Sequence, residues 1–107
     1  MAPKQDLAGA YAFVEANRKP GERVFTIAYA GEIFTGHFRA DWATVFTDAE
    51  YLAAMAVPGP ITVVVVFPDR SFRSLPGLAA DRDTVLVEKR YFPGTLGDGG
   101  IFILHRD

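Results

Sequence analysis

The chain has 107 residues, of which 50% are hydrophobic and 22% charged, a composition that predicts one folded domain. It contains no cysteine, which excludes disulfides, thiol catalysis and cysteine-ligated zinc or iron–sulfur sites. The formal net charge of −2 argues against nucleic acid as a partner, and no apolar run approaches the ~20 residues of a membrane span.

The first predicted element is an amphipathic helix. Asp6 precedes it as an N-cap, and Lys19-Pro20-Gly21 ends it. Its apolar residues recur at helical spacing: Leu7, Ala10, Tyr11 and Val14.

A strand-to-helix step follows. Arg23 to Ala30 is rich in β-branched and aromatic residues, which predicts a strand. After Gly31 the periodicity changes toward that of a helix, which continues through Phe38.

A second strand and a capped helix are predicted next. Trp42 to Phe46 is a short apolar run, which is typical of a strand. Thr47-Asp48-Ala49-Glu50 matches a capping box and predicts a helix over 48–56, which Pro58-Gly59-Pro60 ends.

The third strand, Ile61 to Phe67, has no polar alternation, which predicts a central strand covered on both faces. Pro68 to Asp83 predicts a short helix that Pro76-Gly77 interrupts. Thr84 to Phe92 and Ile101 to His105 are too closely connected for a parallel crossover and predict an antiparallel hairpin.

The element order predicts an α/β fold, a three-layer Rossmann-like sandwich. Right-handed crossovers make its first strands parallel, and the C-terminal antiparallel hairpin completes a mixed sheet. We expect the second strand at one edge, then the first, then the apolar third, then the hairpin. The glycine-rich loop from Gly94 to Gly100 would suit either a wide hairpin or an anion-binding nest, and Asp98 argues against the nest.

Ligands of open α/β sheets collect beyond the C-terminal ends of the parallel strands. The candidate ligand-binding residues at this rim are Tyr29, Gly31 and Glu32 after the first strand and Asp69, Arg70 and Arg73 after the central one. The alternative is a plain strand-to-helix turn with solvated charges. Neither a GxGxxG fingerprint nor a P-loop is present, so no nucleotide cofactor is predicted.

No catalytic or metal site is predicted either. His37 and His105 lie in different elements without another ligand at metal-binding spacing, and His105 is expected to end an edge strand. Ser71 or Ser74 could be combined with His37 and Asp69 into a triad, but no GxSxG elbow presents either serine.

Three segments carry a resemblance to a known family. They are the opening Pro3 to Asp6 with Phe13 to Glu22, the turn Tyr29-Ala30-Gly31, and the closing Phe92 to Gly100. In this order they resemble the soluble C-terminal domain of bacterial glycosyltransferase family 39 proteins, membrane proteins similar to dolichyl-phosphate-mannose protein mannosyltransferases. The family would have a longer helical segment at Asp69 to Asp83.

The resemblance implies one extracytoplasmic or periplasmic domain, residues 1–107, from the C-terminus of a polytopic glycosyltransferase that uses a polyprenyl-phosphate sugar. In that family the acidic catalytic residues lie in a loop between early membrane spans, a region with no counterpart here, so the domain is expected to be non-catalytic. Its expected partners are the membrane-embedded part of the same protein and an acceptor glycan or protein. The alternative is a small domain that recognises a sugar, phosphate or nucleotide at the strand C-terminal rim.

Overall fold

The computed structural model describes residues 6–28, 33–94 and 99–107. The helices are α1 (Leu7–Asn17), α2 (Asp48–Ala56), α3 (Pro68–Ser74) and α4 (Pro76–Arg82), with a π-helical turn at Ile33–His37. The strands are β1 (Arg23–Ile27), β2 (Ala43–Val45), β3 (Ile61–Val66), β4 (Val87–Phe92) and β5 (Ile101–Arg106).

The strands form one five-stranded mixed sheet in the order β2-β1-β3-β5-β4. β1 is parallel to both β2 and β3, whereas β5 is antiparallel to both β3 and β4. The predicted α/β class, parallel first strands, C-terminal hairpin and strand order are therefore confirmed. All six residues of β3 are buried, as its unbroken apolar sequence predicts for a central strand.

Side chains that alternate along the strands form an apolar cluster on each face of the sheet. On one face, α1 and the segment around the π-helical turn pack against the strands through Ala10, Val14, Phe34, Trp42, Val64 and Ile103. On the other face, α2 and α4 pack against them through Tyr51, Leu78, Phe25, Val63, Val65 and Leu104. Helices thus lie on both faces of the sheet.

Local caps define two helices where the sequence predicts them. The Asp6 carboxylate accepts a hydrogen bond from the Gly9 backbone N–H at 2.9 Å and caps α1. At α2, the Glu50 backbone N–H donates to the Thr47 hydroxyl at 3.1 Å, and the Thr47 N–H donates to the Glu50 carboxylate at 3.0 Å. This reciprocal pair is the capping box predicted for a helix over 48–56.

Two predicted strand boundaries were wrong. β1 ends at Ile27, before the predicted Ala30, because Ala28 takes a left-handed conformation with φ of 52°. β4 begins at Val87, after the predicted Thr84, because the Leu86 N–H donates to the Asp81 carbonyl oxygen at 2.8 Å and extends the turn after α4. The predicted interruption at Pro76-Gly77 is confirmed, because α3 ends at Ser74 and Pro76 starts a separate helix, α4.

Within the described ranges, no helix is both long and apolar enough to cross a membrane.

Candidate functional site

The predicted rim at the C-terminal ends of the strands is only partly described. Tyr29, Gly31 and Glu32 lie outside the described residues, as does the centre of the glycine-rich loop at 95–98. The structure therefore leaves the nest and wide-turn alternatives for that loop undecided.

The other rim residues all lie on α3, directly after the central strand. Asp69, Arg70 and Arg73 are exposed. The Arg70 guanidinium lies 5.2 Å from the centre of the Phe67 ring, and Arg73 Nε donates to the Asp69 carbonyl oxygen at 3.3 Å. Both contacts are local to the strand-to-helix step, so a ligand site at this rim stays a prediction.

A polar pocket lies at the opposite end of the sheet, where the parallel strands begin. Glu22 immediately precedes β1, Thr62 is the second residue of β3, and His105 lies near the end of antiparallel β5. The side chains of all three point to the face covered by α1, because they alternate in step with Val24, Val64 and Ile103. The pocket has a volume of about 260 Å³.

The floor of this pocket is a hydrogen-bonded cluster of buried polar groups. Glu22, Thr62 and His105 are 5%, 5% and 7% exposed, respectively. The Thr62 hydroxyl donates to Glu22 Oε2 at 3.1 Å and lies 3.3 Å from His105 Nδ1. His105 Nδ1 is also 3.5 Å from Glu22 Oε1. The cluster therefore links the starts of two parallel strands to the end of β5.

The second ring nitrogen of His105 faces the rim of the pocket. His105 Nε2 lies 2.8 Å from Asp107 Oδ1, so an Nε2–H donates to the exposed carboxylate. This hydrogen bond, followed by the charge of the imidazole, lowers the pKa of Asp107, and Lys19 and Lys89 act in the same direction. Asp107 is thus held as a carboxylate at the mouth of the pocket.

The prediction that His105 ends an edge strand is wrong. β5 lies between β3 and β4, and His105 is paired with Thr62 on one side and with Val87 on the other. The edge is instead β4, whose register to β5 shifts between Glu88 and Arg90. Either strand of the C-terminal hairpin, β4 or β5, could pair with the central strand β3. The sequence alone therefore did not show which of the two would lie inside the sheet.

Two lysines and an amide complete the polar rim. Lys19 follows α1, and Lys89 lies at the β-bulge of β4, which takes its side chain out of the regular ladder. Neither ammonium group forms a hydrogen bond or ion pair within the described ranges. Asn17 at the end of α1 uses its amide N–H to donate to the Phe13 carbonyl oxygen at 2.8 Å, which leaves its side-chain oxygen as an acceptor.

One wall of the pocket is apolar. Phe13 and Val14 of α1 and Ile103 of β5 line it. The Phe13 ring is half-buried and packs edge-on against Phe92, with ring centres 6.2 Å apart. The pocket therefore combines a fixed aromatic surface with groups of both charge signs.

The arrangement does not match a metal site or a nucleophile. In the part of the chain that is described, no group of three or more histidine, aspartate and glutamate side chains could hold a metal ion. The Thr62 hydroxyl lies beside His105, as the nucleophile of a catalytic triad does. It donates its proton to Glu22, however, whereas a triad nucleophile donates its proton to the histidine. β3 is paired on both sides, so the backbone N–H groups around Thr62 serve the sheet rather than an oxyanion.

Sequence reasoning missed this pocket. Glu22 is 40 residues from Thr62, and His105 is 43 residues from it, so no local motif joins them. One signal was present: His105 and Asp107 are two residues apart, and alternate residues of a strand share a face.

No protein-family model, curated protein or solved structure matches the chain.

Proposed function

We propose that this chain is a non-catalytic accessory domain that binds a ligand or acceptor without transforming it. The observation that carries the proposal is the pocket at Glu22, Thr62 and His105, which has buried recognition groups but no activated nucleophile. Nucleophilic catalysis needs an activated nucleophile, and the Thr62 hydroxyl of the pocket already donates its proton to Glu22.

We further propose that the domain belongs to the extracytoplasmic or periplasmic side of a membrane-embedded glycosyltransferase that uses a polyprenyl-phosphate sugar. The support is the resemblance of three segments, of which Phe92 to Gly100 is the most specific. In this role the domain contacts the membrane-embedded part of the same protein and holds the acceptor glycan or protein near it.

The architecture proposed for this role is a three-layer Rossmann-like sandwich. Its support is the parallel order β2-β1-β3 together with apolar clusters on both faces of the sheet.

Two preparations test the accessory role: the purified 107-residue chain and membranes that contain the complete reading frame. Each is incubated with a radiolabelled polyprenyl-phosphate sugar and an acceptor. We expect transfer by the membranes and none by the isolated chain. Product formed by the isolated chain and abolished by Thr62→Val would overturn the proposal, and so would a reading frame without membrane-embedded segments.

The location is tested separately with reporter fusions placed directly after residue 107 in the complete protein. A reporter active only outside the cytoplasm should be active, and a reporter active only in the cytoplasm should be silent. The reverse pattern would rule out an extracytoplasmic domain while leaving the binding role open.

A further inference from the structure

The Glu22 carboxylate is the most deeply buried carboxylate of the pocket. It is 5% exposed, and its Oε2 accepts one hydrogen bond from Thr62. Its Oε1 has only the 3.5 Å contact with His105 Nδ1 and accepts no hydrogen bond from a described residue. Because a carboxylate can accept about four hydrogen bonds, Oε1 has room for a further donor beside His105 Nδ1.

The rim of the pocket carries both hydrogen-bond donors and hydrogen-bond acceptors that a ligand could use. Lys19 and Lys89 offer ammonium groups that form no hydrogen bond or ion pair with a described residue, while Asp107 and the Asn17 side-chain oxygen offer acceptors. A ligand group that both donates and accepts hydrogen bonds would match this mixture of donors and acceptors. A hydroxyl group does both.

The charges disfavour ionic ligands. An anion such as phosphate would lie beside the carboxylates of Glu22 and Asp107 and near the C-terminal end of α1, where the helix dipole is negative. A cation would meet Lys19 and Lys89. A zwitterionic amino acid would use one carboxylate and one ammonium of the pocket and would leave the others without partners.

The size and the apolar wall limit the ligand further. The volume of about 260 Å³ is below the ~300 Å³ at which pockets for drug-sized ligands begin, so the occupant is small. The Arg90 guanidinium lies over the Phe13 ring, 6.0 Å from its centre, and Phe13 also lines the pocket. The ring surface on the pocket side suits the C–H face of a saturated ring whose hydroxyl groups reach the polar rim.

We propose that this pocket binds a neutral, polyhydroxylated ring compound of monosaccharide size, with one hydroxyl donating to Glu22 Oε1 and the ring face against Phe13. The proposal rests on the binding role above and names its ligand class. It places the binding site at the start of the parallel strands rather than at the predicted C-terminal rim.

The test is a titration of the ¹⁵N-labelled chain, followed by amide NMR. The probes are methyl α-D-glucopyranoside, methyl β-D-galactopyranoside and methyl α-D-mannopyranoside, with glycine and inorganic phosphate as ionic comparisons. We expect at least one glycoside to shift, saturably, the amides of Val14, Thr62 and Ile103. Shifts confined to the α3 rim, shifts at the pocket caused only by glycine or phosphate, or no saturable shift would each overturn the proposal.

Variants locate the contact. Glu22→Gln keeps the shape and an acceptor for Thr62 but removes the charge, and we expect binding to weaken roughly tenfold to a hundredfold. Asp83→Asn is the matched control, because Asp83 is an exposed carboxylate outside the pocket, and should leave affinity unchanged. Equal affinity of the Glu22→Gln variant and the parent chain would refute the contact.

A rim variant keeps the test valid if the Glu22 variant unfolds. Lys89→Met removes an exposed ammonium and should weaken glycoside binding by roughly threefold, while Arg73→Met on α3 should not. Unchanged glycoside affinity of the Lys89→Met variant would contradict the proposed contact between the ligand and the pocket rim. A negative result in these binding experiments would refute the proposed ligand. It would not refute the accessory role, which fails only if the isolated chain transfers sugar to the acceptor.

Discussion

Arg23 and Arg106 converge on one carbonyl oxygen, that of Val57. Arg23 donates to it at 2.9 Å from the start of β1, and Arg106 donates to it at 2.8 Å from the end of β5. Arg106 also donates to the carbonyl oxygens of Met55 and Gly59. The two arginines thus fix the turn between α2 and β3 from the strands on both sides of β3.

Replacing Arg106 should therefore destabilise the fold. We expect Arg106→Ala to lower the free energy of unfolding by about 2 kcal/mol, because three carbonyl groups lose a charged donor. Chemical denaturation with matched m-values measures the loss. The control Arg73→Ala removes an exposed guanidinium with one local hydrogen bond and should change stability by less than about 0.5 kcal/mol.

A double-mutant cycle tests the shared carbonyl group. Arg23→Ala and Arg106→Ala should combine non-additively by about 0.5 kcal/mol or more, because each arginine partly compensates for loss of the other at Val57. Strict additivity would mean that the two donors act independently.

The sequence predicted the fold well because its main determinants are local. The capping box at Thr47 and Glu50 needs only four consecutive residues, and an uninterrupted apolar run predicts the burial of β3. The pocket depends instead on Glu22, Thr62 and His105, which come together only after strand order is set. Polar residues at strand ends look like ordinary solvated positions until that order is known.

The Tyr51 hydroxyl joins α2 to α4. Tyr51 is fully buried and donates to Asp81 Oδ2 at 2.7 Å. Burial, and then this hydrogen bond to Asp81, raises the pKa of Tyr51. In the unfolded chain the phenol ionises at pH ~10, so the native state holds this proton at higher pH than the unfolded state does.

The sign of the pH effect follows from that difference. The stabilisation from Tyr51 is complete below pH ~10 and is lost as the pH rises above it, because the unfolded state then gains free energy by ionising. Tyr51→Phe should cost about 1 kcal/mol at neutral pH and should flatten the alkaline decline. Parallel denaturation curves from neutral pH to pH ~11 measure both effects. An alkaline decline of equal slope in the variant would assign it to another group.

Asp107 should titrate below the ordinary range of an aspartate because His105 donates to it. A carboxyl group with a lowered native pKa stabilises the fold above its unfolded value, about 3.9, and this contribution is lost as the pH falls through the native pKa. In His105→Leu the pKa of Asp107 should rise toward that ordinary value. Carbon-detected NMR titration of the carboxyl group measures it, and an unchanged pKa in a folded variant would show that the hydrogen bond is not the cause.

Gly100 lies under the ring of Tyr91, at the start of β5. A Cβ atom on Gly100 would come within 2.6 Å of Tyr91 Cε1 and 2.7 Å of Cζ, so the ring would have to move. That ring also packs against Phe102, with ring centres 4.6 Å apart. We expect Gly100→Ala to cost about 1 kcal/mol, since the ring of Tyr91, which is 42% exposed, can turn aside only by losing contact with Phe102.

The source of that cost can be separated from backbone effects. In a Tyr91→Ala background the obstructing ring is gone, so adding Gly100→Ala should cost much less than it does in the parent chain. Gly36→Ala is the matched control, because a Cβ atom there meets nothing within 4 Å. Equal costs of Gly100→Ala in both backgrounds would place the penalty in the backbone at Gly100 rather than in the Tyr91 ring.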